Sequence, residues 1–260
     1  MTSTGRLRWI AAASLALSLV ACGGGSGNSG DTAPATLPPN IDTGPTALAA
    51  AGALSIRVDS ASIDHRPVVE FTVTNAAGAG MTGLVAADLR FNVAKLAPGS
   101  NGEPSGWQNY INQAQGGVVQ GSQERAASGY AFGTLTGLGS GRYRYAFATD
   151  ITDPAANPCP AACSDAAGKP LDIRYDAGLT HRVTIEQANP AYPRAAGTLD
   201  FVPAGGPPAT QREIVATATC NGCHAELTAH ATRVDTRLCV SCHNAGSSVA
   251  GAPNTPLDFK

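Results

Sequence analysis

Lysine is nearly missing from this chain: only Lys95, Lys169 and Lys260 occur in 260 residues. Charged residues make up 14% of the sequence, the formal net charge is −2, and the arginines stand singly. With no row of cations to neutralise phosphates, nucleic acid is excluded as a partner. Aromatic residues are scarce too, at 5%, while 30 glycines and 18 prolines interrupt the chain too often for a helical bundle. The sequence shows no nucleophilic triad, phosphate loop or paired-carboxylate site, so it supplies no catalytic residue. Its longest leading apolar run, Trp9 to Val20, is about twelve residues, too short for a permanent membrane-spanning helix.

That run has another use. Arg6 and Arg8 precede it and Leu19-Val20-Ala21-Cys22 end it, the layout of a secretory signal over residues 1–22. The ending resembles the lipobox of bacterial lipoproteins, which implies lipidation at Cys22 and anchoring to a membrane by several acyl chains. An ordinary cleaved signal with an incidental cysteine is the plainer alternative. Residues 23–46, GGGSGNSGDTAPATLPPNIDTGPT, lack apolar periodicity and read as a flexible tether. Export sets how the seven cysteines are read: as lipid, disulfide or cofactor attachment sites rather than reduced cytosolic thiols.

A β domain is expected over residues 47–205. Leu54, Ile56 and Val58 alternate with polar residues, as do Val69, Phe71 and Val73, then Leu89, Phe91 and Val93. Tyr143, Tyr145 and Phe147 follow, then Val183 and Ile185, then Leu199 and Phe201. Turn-forming stretches such as NAAGAGMTG and GLGSGR separate them. The pattern predicts a mainly β fold, an antiparallel Greek-key sandwich or split barrel. Trp107 and Tyr110 are placed in a loop or short helical turn that plugs one end of the core, a binding platform being the alternative. His181 shares the parity of Val183 and Ile185 and is expected in the core; His65, before a strand, is expected on an exposed loop. Cys159 and Cys163, in PCPAACSD, are not followed by His; a small-loop disulfide is expected, with a redox or metal role as the alternative.

The chemistry lies in residues 206–260, expected as a loop-rich, short-helix module. Thr210 and Glu213 have capping-box spacing, marking a helix start at TQRE. Cys220-Asn221-Gly222-Cys223-His224 and Cys239-Val240-Ser241-Cys242-His243 then repeat C-x-x-C-H, the attachment sequence of c-type haem. Two thiols one helical turn apart can each add to a vinyl group of one porphyrin, and the next His reaches the iron as proximal ligand. Two haems c per chain are expected. The four cysteines also fit the spacing of a structural zinc ribbon, and two disulfides are a third reading. A zinc ribbon, however, does not require a His after each pair.

For a sixth ligand, the only methionine left after signal removal is Met81, in a distant turn. His230 stands six residues after His224, too close in sequence to wrap round the same porphyrin, so it is assigned to the second haem opposite His243. The alternative is a solvent-exposed helix residue. The first haem is left without an identified distal ligand. Bis-His iron exchanges electrons without binding substrate, which favours a relay over a catalyst.

The stretches PVVEFTVTNAAGAGMTGLVAADLRF, LTHRVTIEQ, TLDFVPAG and REIVATATCNGCHAELTAHATRVDTRLCVSCHN are similar to the N-terminal part of the outer-membrane decahaem c-type cytochromes, the OmcA/MtrC family of metal-respiring bacteria. The resemblance covers nearly the whole chain after the signal. It implies a β domain followed by a multihaem domain with bis-His haems. It also implies a lipid-anchored outer-membrane protein facing the cell surface, electron delivery by other cytochromes and an outer-membrane porin, and metal oxides or flavins as acceptors. On it, Cys220, Cys223, Cys239 and Cys242 carry thioethers, His224 and His243 are proximal, and His230 is distal. The family has about ten haem sites where this sequence has two, so a truncated haem module is expected. The rival functions are a reductase with an open haem site and a zinc-ribbon-bearing β adhesion module.

Overall fold

The structure is a computed structural model that describes residues 48, 51–99, 102, 104–115, 118–153, 155, 171–209, 215–244 and 246–257. The expected leader with Cys22, the tether, the Cys159/Cys163 pair and the TQRE helix start lie outside the described residues.

Two antiparallel sheets form the fold. β1 (Leu54–Ile63) pairs with β2 (Pro67–Asn75), and β2 pairs with β9 (Arg142–Ala146), which in turn pairs with β8 (Thr134–Gly139). In the second sheet β11 (Ala196–Phe201), β10 (His181–Gln187), β3 (Leu89–Ala97) and β4 (Gly106–Asn109) lie in that order, with β7 (Glu124–Arg125) also on β3. β5 (Asn112–Gln115) and β6 (Val118–Gly121) form a separate hairpin. All six strands expected from alternation are present, and the two sheets do not close into a barrel. A bulge between Val58 and Ser60 shifts the β1–β2 register, so inward residues change parity along β1.

Alternation works here because each strand buries one row of side chains. Val69, Phe71 and Val73 of β2 and Tyr143 and Tyr145 of β9 meet Phe91 and Val93 of β3 and Val183 and Ile185 of β10. Phe91 stacks on Tyr145 with ring centroids 3.7 Å apart, and Phe71 stacks on Tyr143 at 5.4 Å. The Tyr145 hydroxyl donates to the fully buried Glu124 carboxylate at 2.5 Å. Thr149 adds its hydroxyl at 2.6 Å and its backbone N–H at 2.8 Å. Burial and the neighbouring Glu124 push the Tyr145 hydroxyl pKa far up, so it stays a donor. At the sandwich edge, a Cβ on Gly197 of β11 would fall 2.7 Å from Ile56 Cγ2, so glycine admits β1 there.

His181 is fully buried, as its parity indicated. Its Nδ1–H donates to the Leu179 carbonyl at 2.9 Å, leaving Nε2 to accept from the Tyr110 hydroxyl at 2.9 Å. Burial lowers its pKa and keeps the ring neutral. Tyr110 does fill the core, but Trp107 differs from expectation: it sits on β4, paired with Leu96 of β3, not in a loop or helical turn. It points to the other side of the sheet, where its ring takes the Arg182 guanidinium at 4.2 Å. The short GWQN run has too few apolar residues to show a period, so cross-strand pairing rather than local pattern makes it a strand. His65 is exposed and bonds the Thr152 hydroxyl at 3.1 Å.

Candidate functional site

The outer face of the second sheet is polar yet buried. Asn92, Thr184 and Glu186 are essentially inaccessible, and every residue of β10 is buried. What covers this face is the C-terminal segment that carries both C-x-x-C-H motifs.

The first motif begins in α1 (Thr217–Asn221), a helix of little more than one turn. The Cys223 and His224 N–H groups continue that turn by donating to the Cys220 carbonyl at 3.2 and 3.0 Å. Asn221 then ends it by accepting from the Leu227 N–H at 2.6 Å through its side chain. Cys220 is half-buried, whereas Cys223 and His224 are exposed.

The second motif lies on α2 (Thr236–Cys242). Asp235 caps it, its Oδ1 accepting from the Arg237 N–H at 2.9 Å. Thr217 of α1 accepts from the Thr236 N–H at 3.0 Å, joining the two motifs. Buried Leu238 faces inward while Cys239 and Cys242 lie one turn apart, both half-buried. The Cys242 sulfur rests 3.8 Å from Asn92 Nδ2, and burial pushes its thiol pKa up to about 11. The helix stops at His243, whose N–H still donates to the Cys239 carbonyl at 2.8 Å.

Burial by itself would raise the Asp235 carboxyl pKa, but side-chain and backbone hydrogen bonds from Arg237 outweigh it and hold it below the usual range. A depressed folded-state pKa means the cap stabilises at pH values above the unfolded carboxylate's, about 3.9, and loses that contribution as pH falls through the folded value. Asp235→Ala is therefore expected to cost about 1 kcal/mol at pH 7. Paired unfolding curves at pH 7 and at strongly acid pH check this; an equal deficit at both would contradict it.

His243, the expected proximal ligand, has its ring oriented by the chain that follows it. Its Nδ1–H donates to the Leu257 carbonyl at 2.9 Å, which makes Nε2 the ring nitrogen that carries the lone pair. Leu257 follows the hairpin of β12 (Ser248–Val249) and β13 (Ala252–Pro256), which folds back beside α2, its N–H donating to Ser247 at 2.8 Å. The His230 ring lies 6.0 Å from the His243 ring, centroid to centroid. Two imidazoles, each with a nitrogen about 2 Å from one metal on opposite sides, have centroids about 6 Å apart. These residues fit a shared haem iron. Partial burial, Arg233 and His243 lower the His230 pKa, favouring its neutral imidazole.

His230 is exposed, as the alternative reading had it, but it is not on a helix. It occupies a tight turn between the bridged residues Ala229 and Arg233, with φ of 49°. Among the described residues no second imidazole is paired with His224. The four motif thiols are free, and no three His, Cys, Asp or Glu side chains among the described residues converge as a zinc ribbon would need. Residue patterns did not reveal the polar bed of Arg90, Gln123, Glu186 and Arg233, because those residues are far apart in sequence.

The bed leaves little clearance at one point. A Cβ on Gly121 of β6 would lie 2.5 Å from the Cys242 carbonyl oxygen and 2.9 Å from its Cα. Gly121→Ala must push the end of α2 off the hairpin, at an expected cost of about 1–3 kcal/mol. Urea unfolding measures the loss, and hydrogen exchange at His243 reports whether α2 has moved; unchanged stability would show that the two segments yield freely.

Residues 212–260 match the family described as outer membrane cytochrome MtrC/MtrF-like, domains II/IV. The chain is 30% identical over 198 residues to the multihaem cytochrome MtrC of Shewanella baltica (strain OS185), a match covering 71% of this chain. It spans 26% of that relative's length. The crystal structure of the outer membrane decahaem cytochrome OmcA superposes with a TM-score of 0.63 at 25% identity, over 80% of this chain and 32% of OmcA. The crystal structure of MtrC from Shewanella baltica OS185 gives 0.55 at 29% identity, over 77% of this chain and 31% of that one. Sequence and fold thus agree on the outer-membrane multihaem cytochromes, the family resembled by the motifs.

Proposed function

We propose that this chain, similar in sequence and fold to outer-membrane multihaem cytochromes, relays respiratory electrons at the outer membrane toward extracellular acceptors. Metal oxides or flavins are the proposed acceptors. The observation that carries the reading is the His230–His243 pair at 6.0 Å, with the His243 ring oriented by its Nδ1–H bond to the Leu257 carbonyl. Cys239 and Cys242 would hold one haem c, with His243 proximal and His230 distal; Cys220 and Cys223 would hold a second, with His224 proximal. Bound there, haem supplies reversible one-electron exchange at iron. The protein's part is to orient the imidazoles and to hold the second motif, on α2, against the sheet, which keeps reorganisation small. Residues 1–22 and 23–46 would serve as a lipoprotein leader, anchoring through Cys22, and as a tether. Residues 47–205 would be a β domain and residues 206–260 a haem module. Other cytochromes and an outer-membrane porin are the proposed electron donors, with the protein facing the cell surface. Cys159 and Cys163 would form a small-loop disulfide.

Expression with c-type maturation, followed by a reduced pyridine spectrum against protein mass, tests this. Two covalent haems per chain are expected, and a colourless zinc-binding product would overturn the reading. That no second imidazole among the described residues pairs with His224 favours a second possibility at the first haem, an open coordination position. Carbon monoxide binding at one haem in the unsubstituted protein would reveal it.

A further inference from the structure

The turn that carries His230 is held against its own backbone preference. His230 and Ala231 take successive left-handed conformations, with φ of 49° and 69°, which L side chains rarely adopt without outside support. Ala229 and Arg233 exchange both N–H to carbonyl bonds at 2.9 Å, so the intervening residues form a closed loop. The external hold comes from the β domain. Glu186 of β10 is fully buried on the sheet's outer face, and it reaches this loop twice. The Thr232 hydroxyl donates to Glu186 Oε1, and Arg233 Nε donates to Oε2 at 3.3 Å. Arg90 of β3, at 3.5 Å, and Gln123, at 3.1 Å, satisfy the rest of the carboxylate. Gln123 also accepts from Arg233 Nη2 at 2.9 Å. A buried carboxylate with four donors has one low-energy arrangement, and two of those donors flank Ala231 on the C-terminal side of His230.

We propose that Glu186 is the positioning residue for His230: by fixing Thr232 and Arg233 against β10, it holds the His230 turn so that its imidazole faces His243. The β domain is then the part of the protein that presents the distal ligand, not a passive support. This rests on the reading that His230 and His243 share one iron. Glu186 touches neither imidazole; it acts through the turn.

The full chain, matured with haem, is compared with Glu186→Ala, Thr232→Val and His230→Ala. Three quantities are read on each: covalent haem per chain, the low-spin bis-His signal by electron paramagnetic resonance, and the unfolding temperature. His230→Ala is expected to abolish the second haem's low-spin signal with haem content unchanged. Glu186→Ala is expected to lower that signal severalfold, again with two haems per chain, and Thr232→Val to lower it less. A loss that merely reflected weaker folding would follow the unfolding temperature and not the spin state. If Glu186→Ala fails to fold, Thr232→Val, which leaves Glu186 paired with both arginines, carries the test. An unchanged low-spin signal in the folded Glu186 variant, or failing that in Thr232→Val, overturns the proposal. An unchanged signal in His230→Ala overturns the shared-iron reading beneath it.

Discussion

Replacing His230 with Ala is expected to open one coordination position on the second haem while leaving covalent attachment intact. On the proposed assignment attachment depends on Cys239 and Cys242 toward the end of α2, and no hydrogen bond among the described residues joins His230 to either. Proximal ligation would depend on His243, whose tautomer is set by Leu257, not by His230. What remains is a five-coordinate iron or one with water as the sixth ligand, so carbon monoxide should bind stoichiometrically at a site that excludes it in the parent protein. The imidazole spacing of 6.0 Å is the spacing two nitrogens about 2 Å from one iron require. A His224→Ala variant supplies the contrast, because it removes the other proximal ligand and leaves the His230–His243 pair untouched. Equal carbon monoxide binding in the parent and in His230→Ala would refute the assignment of His230.

The largest loss of stability is expected from Phe91→Ala. Phe91 is wholly buried at the centre of the sandwich. It stacks on Tyr145 at 3.7 Å and meets the edges of Phe71 at 5.9 Å and Phe147 at 6.1 Å. Truncating such a ring removes its burial and leaves a cavity that two hydrogen-bonded sheets cannot collapse around, costing about 3–5 kcal/mol. Against a total stability of about 5–15 kcal/mol, that brings the domain close to unfolding at physiological temperature. The effect should reach the haem segment as well, because Arg90 and Asn92, the neighbours of Phe91 in β3, point to the opposite face and bond Glu186 and Ser122. Urea unfolding gives the loss, and a change under about 1 kcal/mol would show that Phe91 is not the keystone of the core.

Both expectations combine local pattern with long-range packing, in different proportions. Phe91 was legible as a core residue because alternation along Leu89–Val93 is set by the pleat itself. The strands β4 to β8 were less legible. Their segments are short and polar, and pairing partners elsewhere in the chain define them; Trp107, read as a loop residue, lies on β4 for that reason. The C-x-x-C-H motifs were legible because the chemistry of attachment requires thiols one turn apart beside a histidine, a constraint contained within five residues. Pairing His230 with His243 could be reached by elimination, but the turn geometry that brings their rings to 6.0 Å could not.

By itself, then, the sequence determined which segments are strands with one apolar face, and where the two C-x-x-C-H motifs stand, because both depend on spacing within a few residues. The tertiary structure alone decided what becomes of the polar faces. Alternation in β10 says that Arg182, Thr184 and Glu186 point away from the core, and ordinarily that means water. Here they are buried instead, since the segment after residue 215 lies across them and Thr232 and Arg233 return to Glu186 from 46 and 47 residues away. A buried carboxylate must be satisfied by whichever donors the fold delivers to it. That requirement couples the β domain to the ligand turn, and it exists only once both have folded together.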